Sequence, residues 1–253
     1  MASLTVAIIT KNEAANLPRW LAAVGPVADE IVAVDSGSSD ATVDLLAQAG
    51  AKVCFRQWTG YADQRNHCID QASGDWVLFL DADEFIDDEL AQALNALKNG
   101  PPPAEAAFEL TYKVFFFGRF LRHGGYYPER HLRLHRRGQA RWVARQVHER
   151  LEADGPVGRL AGHVHHHSYR TVGDYLARAQ RYSAEAAQQM LAAGRRAGPL
   201  TVVGHAGWSF FNRYILRLGF LDGYEGYLAA RLESLYTLAK YARLRELSRQ
   251  GRP

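Results

Sequence analysis

An α/β fold with a mostly parallel, Rossmann-like sheet flanked by helices is what the first hundred residues predict, from three observations. Short apolar or β-branched runs recur at Leu4–Ile9, Ile31–Val34, Lys52–Phe55 and Trp76–Leu80, and segments of helical spacing separate them. Polar clusters follow three of these runs: Thr10-Lys11-Asn12-Glu13, the stretch from Asp35 to Asp40, and the stretch from Asp81 to Glu84. In right-handed βαβ units all three clusters fall at one edge of the sheet, the edge where ligands bind in open sheets.

The elements follow in order. After the first run, Leu17, Trp20, Leu21 and Val24 carry a helical apolar stripe. Ser39 or Asp40 is a candidate N-cap for a helix over Ala41–Ala49, and a third helix is expected over Ala62–Ala72. Asp87 and Asp88 open a fourth helix that ends near Lys98, before the Pro101–Pro103 breaker. From Ala106 the pattern changes to aromatic and arginine-rich extended segments, Phe108–Phe117 and Arg130–His135. After Thr171 the chain reads helical over Tyr175–Leu191, Trp208–Leu218 and Tyr224–Leu247. The expected organisation is a catalytic domain over residues 1–170, with a helical region over 171–253.

With 47% hydrophobic and 23% charged residues in 253, the chain has an ordinary globular composition and enough length for a large core. A formal charge of +3 is too small to argue for a nucleic-acid partner. Two cysteines, Cys54 and Cys68, predict neither a disulfide framework nor a thiolate zinc site. The N-terminal residues show no basic region before an apolar run, so the expected setting is cytoplasmic. No stretch reaches the roughly 20 apolar residues of a membrane span.

Asp81 and Asp83 follow the apolar run Trp76–Leu80 and, two residues apart in extended chain, project to one side. Paired carboxylates at a strand end suit a hard divalent cation, Mg²⁺ or Mn²⁺, that bridges them to substrate phosphates. A solvated turn is the alternative, and the convergence of three polar clusters on one edge favours the cation.

Taken together, Thr10-Lys11-Asn12-Glu13, the segment Val34-Asp35-Ser36-Gly37-Ser38-Ser39-Asp40, Gln64-Arg65-Asn66 and Leu80-Asp81-Ala82-Asp83 resemble family 2 glycosyltransferases. That resemblance implies a GT-A fold, a nucleotide-diphospho-sugar donor and inversion at the anomeric carbon. Val147-His148-Glu149, His165-His166-His167-Ser168-Tyr169 and Gly219-Phe220-Leu221-Asp222-Gly223 are similar to a narrower group, bacterial lipopolysaccharide-core β-1,4-glucosyltransferases. The resemblance further divides the catalytic domain into a nucleotide-sugar half, 1–100, and an acceptor half, 101–170. It implies that Asp35 accepts from the uracil edge while Thr10, Asn12 and Glu13 line the nucleotide. Arg65 would hold the ribose or diphosphate, Asp81 would lie near the ribose and cation, and Asp83 would bind the cation. Asp35 as a turn cap and Arg65 as a solvated helix residue are the structural alternatives.

Inverting transfer needs a base for the acceptor hydroxyl, and Glu149 is the candidate; a salt bridge to Arg145 or Arg150 is the alternative role. In His163-Val164-His165-His166-His167, alternation puts His163, His165 and His167 on one side. His165 or His167 is therefore the candidate to complete the cation shell, with a structural histidine as the alternative. Aromatic residues mixed with Arg213 and Arg217 over 208–221 suit either a bilayer interface, on the inner face of the membrane, or a partner subunit in a homo-oligomer. A glycolipid or oligosaccharide acceptor is implied by the resemblance. A sugar-nucleotide nucleotidyltransferase would open with a glycine-rich basic loop after the first strand, where this chain has Thr-Lys-Asn-Glu. A non-catalytic glycan- or nucleotide-sugar-binding module would not need every donor-side carboxylate.

Overall fold

The computed structural model describes residues 1–144, 149–169 and 171–250. These form two compact units, one of Met1–Tyr112 with Arg130–His166, the other of Lys113–Glu129 with the residues from His167 onward. In chain order the elements of the first part are β1 (Leu4–Thr10), α1 (Leu17–Val24), β2 (Glu30–Asp35), α2 (Thr42–Gln48), β3 (Lys52–Phe55), α3 (Tyr61–Gln71), β4 (Trp76–Phe79), β5 (Glu84–Ile86) and α4 (Asp88–Asn99). There follow β6 (Ala107–Phe116), β7 (Arg119–Phe120), β8 (Glu129–Arg136), β9 (Ala140–Val143), β10 (Arg150–Ala153) and β11 (Val157–Tyr169). The helices α5 (Val172–Ala192), α6 (Pro199–Phe211) and α7 (Gly223–Gln250) complete the chain, with a π turn at Asn212–Leu216 and a 3₁₀ turn at Gly219–Asp222 between the last two.

The nine-stranded sheet runs β3-β2-β1-β4-β8-β6-β11-β5, with β7 paired to β6. Its first four strands are parallel, as expected. The direction of strand addition reverses at β1, which opens a crevice beyond the carboxyl ends of β1 and β4. The other half makes the sheet mixed: β8 runs antiparallel to β4, and β5 antiparallel to β11. Parallel neighbours need a crossover, usually helical. Between α4 and α5 the described residues form no helix, and the chain returns by hairpins and short loops instead.

Alternation along the parallel strands divides the core of this unit in two. Leu4, Val6, Ile8 and Leu78 pack with Trp20, Leu90 and Leu94, whereas Ala7, Val32, Val34, Val77 and Phe79 pack with Cys68, Ile69 and Trp142. Truncating one of these, such as Leu78→Ala, costs about 2–5 kcal/mol. Both cysteines are free, and burial pushes the Cys68 thiol up to about 12, so it serves as a small apolar core residue. Asp87 caps α4 by accepting from the Leu90 amide at 3.0 Å, as the sequence predicts.

The second unit has its own core of Phe116, Leu121, Tyr175, Ala229 and Leu232. Residues 113–129, grouped by the sequence with the catalytic domain, belong to this unit. The Asp222 carboxylate accepts from the His123 amide at 2.7 Å and lies 3.0 Å from its Nδ1, and Arg119 pairs with Glu225 at 3.0 Å. The α5 helix starts at a capping box between Thr171 and Asp174. The helix predicted from Trp208 starts earlier, at Pro199, because proline at N1 is pre-set for helix entry. Among the described residues no helix is long and apolar enough to cross a membrane.

Candidate active site

Gln64-Arg65-Asn66 on α3 organises the crevice from three directions. The Gln64 amide donates to the Gln57 carbonyl at 2.7 Å and fixes the approach to the helix. Asn66 donates to the Trp142 carbonyl at 2.8 Å and accepts from its amide at 2.9 Å, which pins the β9–β10 hairpin to α3. Between them Arg65 is almost fully buried. Its guanidinium lies over the rings of Trp142 and Phe79, 4.5 and 5.0 Å from their centroids.

That guanidinium joins two carboxylates far apart in sequence. Nη2 donates to both oxygens of Asp81, at 3.0 and 3.1 Å, and Nη1 donates to Glu149 at 2.5 Å. Arg65 is thus no solvated helix residue, and its guanidinium is the ion partner of Glu149; Arg145, Val147 and His148 lie outside the described residues. Arg133, which the sequence did not single out, grips the same centre from β8. Its Nη2 donates to Asp81 at 3.3 Å and Glu84 at 3.2 Å, and its Nε donates to the Tyr112 hydroxyl at 3.1 Å. Glu84 also accepts from the Asp81 amide and from Tyr112. Burial would raise the Asp81 pKa, but Arg65 and Arg133 hold it at about 2. Glu84 is raised instead, by burial and by the neighbouring charge of Asp81, which Arg133 only partly offsets.

The loops that follow β1 and β2 are tied to each other. Asp35 is buried at the end of β2, accepting from the Gly37 and Ser38 amides at 2.8 Å and from the Thr10 hydroxyl at 3.0 Å. Burial would raise its pKa, and these bonds with that from the Ser38 hydroxyl keep it low. Gly37 has φ +91°, the left-handed region this tight turn requires. Asn12 is also left-handed, φ +58°, and its side-chain Oδ1 accepts from the Ser39 amide at 2.8 Å. Glu13 accepts from Asn16 at 2.7 Å, and its amide donates to Thr42. The nucleotide-side candidates Thr10, Asn12, Glu13 and Asp35 are therefore brought together.

Beside Asp83 the structure brings His166, not the histidines the sequence favoured: His166 Nε2 is 3.6 Å from Asp83 Oδ2. His165 and His163 point to Asp87, at 3.9 and 3.2 Å, and His167, in the second unit, stacks on Phe115 at 4.6 Å. The alternation was foreseen, but the register of β11 against β5, with His166 opposite Glu84, decides the face. Burial would lower the His166 pKa, but Asp83, Glu84 and Asp81 raise it to about 9. A carboxylate oxygen and an imidazole nitrogen converging where negative charge accumulates form a donor set that fits Mg²⁺ or Mn²⁺. Asp87, Glu89 and His163 form a second cluster of possible ligands at the start of α4. There Asp87 already accepts from the Leu90 and His163 amides.

Comparison with known proteins fits this geometry. The Glycosyl transferase family 2 model matches residues 5–142, more than half of the chain, and takes in its parallel strands from Thr5 onward. This chain belongs to glycosyl transferase family 2. Among relatives of this family 2 glycosyltransferase is LpsC of Rhizobium meliloti, named a lipopolysaccharide core biosynthesis glycosyltransferase. It is 29% identical, with 95% of this chain and 91% of LpsC covered. A Rickettsia bellii protein described as an uncharacterized glycosyltransferase is 27% identical, covering 97% of this chain and 87% of its own. The mannosyltransferase PcManGT of Pyrobaculum calidifontis, solved with GDP-Man and Mn²⁺, shares the fold at TM-score 0.54 and 17% identity, over 96% of this chain and 87% of that one. The GT-A fold and the glycosyltransferase class expected from the motifs are thereby established.

Proposed function

We propose that this glycosyltransferase transfers a hexose, glucose, from a uridine-diphosphate sugar to a glycolipid acceptor such as the lipopolysaccharide inner core, inverting the anomeric carbon. The observation that carries the reading is the Arg65 bridge, which joins Asp81, at the donor edge of the sheet, to Glu149 on the acceptor side. The role named for LpsC supports the acceptor class. Asp35, anionic and buried at the end of β2, would accept from the N–H of a uracil in place of the Thr10 or Ser38 hydroxyl that now occupies its Oδ2.

Asp83 and His166 would hold a divalent cation, Mg²⁺ or Mn²⁺, which when bound supplies neutralising charge to the diphosphate. The chain's own groups do the rest. Asp35 and the loops at Thr10, Asn12 and Glu13 hold the nucleoside. The guanidinium of Arg65, fixed over Trp142, keeps the Glu149 carboxylate oriented. The acceptor oxygen attacks the anomeric carbon while the bond from that carbon to the diphosphate oxygen breaks, and the hydroxyl proton passes to Glu149. The diphosphate leaves with the electron pair.

The test is a screen of uridine- and guanosine-diphosphate hexoses for Mn²⁺-dependent nucleotide release by the purified chain, with and without a deacylated inner-core acceptor. Acceptor-stimulated release of UDP from UDP-glucose alone is the expected result. Release from a guanosine-diphosphate sugar instead would overturn the donor assignment.

A further inference from the structure

The second unit carries a surface that catalysis does not use. On α6, Val202, Ala206 and Ser209 face inward, where Ser234 of α7 donates to the Ala206 carbonyl at 2.8 Å and Thr237 meets Ser209. At helical spacing on the opposite side stand Leu200, Val203, Trp208 and Phe211, and the turns that follow add Ile215, Leu216 and Leu221. Leu200 is 89% exposed, Val203 67% and Trp208 56%. Large apolar side chains grouped in this way mark an interaction surface rather than scattered exposure.

Charge indicates what the surface meets. From residue 186 to residue 221 the chain contains no Asp or Glu, but it contains Arg195, Arg196, Arg213 and Arg217. Next to the stripe lies a cleft of about 290 Å³ lined by Trp208, Arg213, Arg217, Lys240, His205 and Tyr241. Arg213 is held there by Glu233 at 3.3 Å and by donation to the Gly124 carbonyl at 3.1 Å. The Arg217 side chain lies across Gly125, where a Cβ would come within 2.2 Å of Nη1, and its own carbonyl accepts from the Gly124 amide at 2.7 Å. Lys240 lies over Tyr236 and Tyr241 at 5.2 and 5.4 Å, and burial with the nearby charge of Arg195 lowers its pKa despite Glu233. Arg213, Arg217 and Lys240 thus line one cleft, and Glu233 is the ion partner of Arg213.

We propose that the Leu200–Leu221 face of α6 and the turns after it docks on an anionic lipid bilayer, with the apolar stripe entering the interface and the cleft of Arg213, Arg217 and Lys240 receiving a lipid phosphate. This is the arrangement of an interfacial helix: an apolar face flanked by cations on an element too short to span. A second copy of the chain fits less well, because a two-fold interface would set this acid-free, arginine-bearing surface against itself. The proposal rests on the glycolipid acceptor, since an enzyme for such an acceptor must work at the surface that holds it.

The experiment is co-sedimentation of the full chain with phosphatidylcholine vesicles, with and without about one third phosphatidylglycerol, together with brominated-lipid quenching of tryptophan. Binding to the anionic vesicles only, weakening with salt, is expected. Trp208→Ser and Leu200→Ser should each weaken it about tenfold, since each removes several buried methylenes. Arg217→Gln and Lys240→Gln should each weaken it about fivefold. Thermal melting of each variant checks its fold, and Trp208→Phe should abolish most of the quenching. Equal binding to neutral vesicles, no binding, or a dimer in light scattering that Trp208→Ser disrupts would each overturn the proposal. UDP affinity is measured on the same preparations without lipid. If it persists while vesicle binding fails, docking alone falls; if vesicles bind but UDP does not, the donor assignment falls.

Discussion

Replacing Glu149 by Gln separates two roles that its position combines. The side chain is 23% exposed and accepts from a guanidinium that is itself 6% exposed, so the bond is well shielded. Glutamine keeps the size and still offers an oxygen to Arg65 Nη1, so the contact becomes neutral rather than absent. A hydrogen bond to a charged group contributes about 1.5–3 kcal/mol and a neutral one about half of that, so the stability loss should be about 1 kcal/mol. In a chain of this size that lowers the melting temperature by about 2–4 °C. The amide cannot take the acceptor's proton, however, and losing general-base assistance costs about 10²–10⁴ in rate, or about 3–5 kcal/mol of barrier. Calorimetric titration with UDP and Mn²⁺, thermal melting and acceptor-dependent UDP release on one preparation read all three quantities. Near-normal UDP affinity, a small drop in melting temperature and a turnover lower by two orders of magnitude or more is the expected set. Turnover within about threefold of wild type, with the melting temperature lowered, would make Glu149 a brace for Arg65 and refute its role as base.

Asp83→Ala should remove the Mn²⁺-dependent part of UDP affinity, and His166→Ala should weaken it while His165→Ala does not; equal effects of the two histidine variants in calorimetry would contradict the strand register. Asp35→Ala should weaken UDP binding about 10–100-fold without changing the Mn²⁺ requirement, as expected for one charge-assisted bond of about 1.5–3 kcal/mol; unchanged affinity would leave Asp35 as a turn residue only. Asp87→Ala should retain activity and lose about 0.5–2 kcal/mol of stability in urea denaturation, as for a removed N-cap. Burial would raise the Asp87 pKa, but the His163 and Leu90 amides hold it below the ordinary carboxylate value. Its contribution is therefore complete above that ordinary value and lost as pH falls through the lower folded one, so the gap between wild type and Asp87→Ala should close in acid. A gap that widens in acid would contradict this sign.

The parallel half of the sheet was legible because its strands are apolar throughout and its helices amphipathic, so local pattern and tertiary burial agree. The antiparallel half was less so. Glu84–Ile86 is three residues long and carries a buried glutamate, and no periodicity exists at that length to mark it as a strand. Arg133 was illegible for a related reason. In Leu132-Arg133-Leu134 an alternating pattern sends the arginine to the face away from Leu134, and nothing local says that this face is lined by Trp142, Glu84 and Asp81. The histidines failed on parity alone: one residue of register chooses between His166 and its neighbours, and that choice lies in the pairing of β11 with β5, distant in sequence. Asp81 and Asp83 could be singled out because they follow a strand that the pattern does define, whereas Arg65, in the middle of α3, was singled out by the resemblance and not by local pattern.

The two carboxylates of Asp81-Ala82-Asp83 are treated differently by their surroundings, and this bears on why both are present. Asp81 is met by two buried guanidiniums within 3.3 Å, so its charge is already compensated by Arg65 and Arg133. Asp83 has an imidazole beside it instead, in a region where Asp81, Asp83, Glu84 and Glu149 supply four carboxylates against the guanidiniums of Arg65 and Arg133. Burial raises Glu84 most, with the charges of Asp81 and Asp83 adding to it, and the charges of Asp83, Glu84 and Asp81 raise His166 against the effect of its burial. A divalent cation compensates the same surplus without protonating either group and leaves the imidazole neutral, the form in which it is a ligand. A diphosphate arriving without the cation would meet carboxylates offset only by the two guanidiniums and by bound protons. The charge count of the site, rather than the Asp-x-Asp spacing alone, is therefore the physical reason to expect donor and cation to bind together.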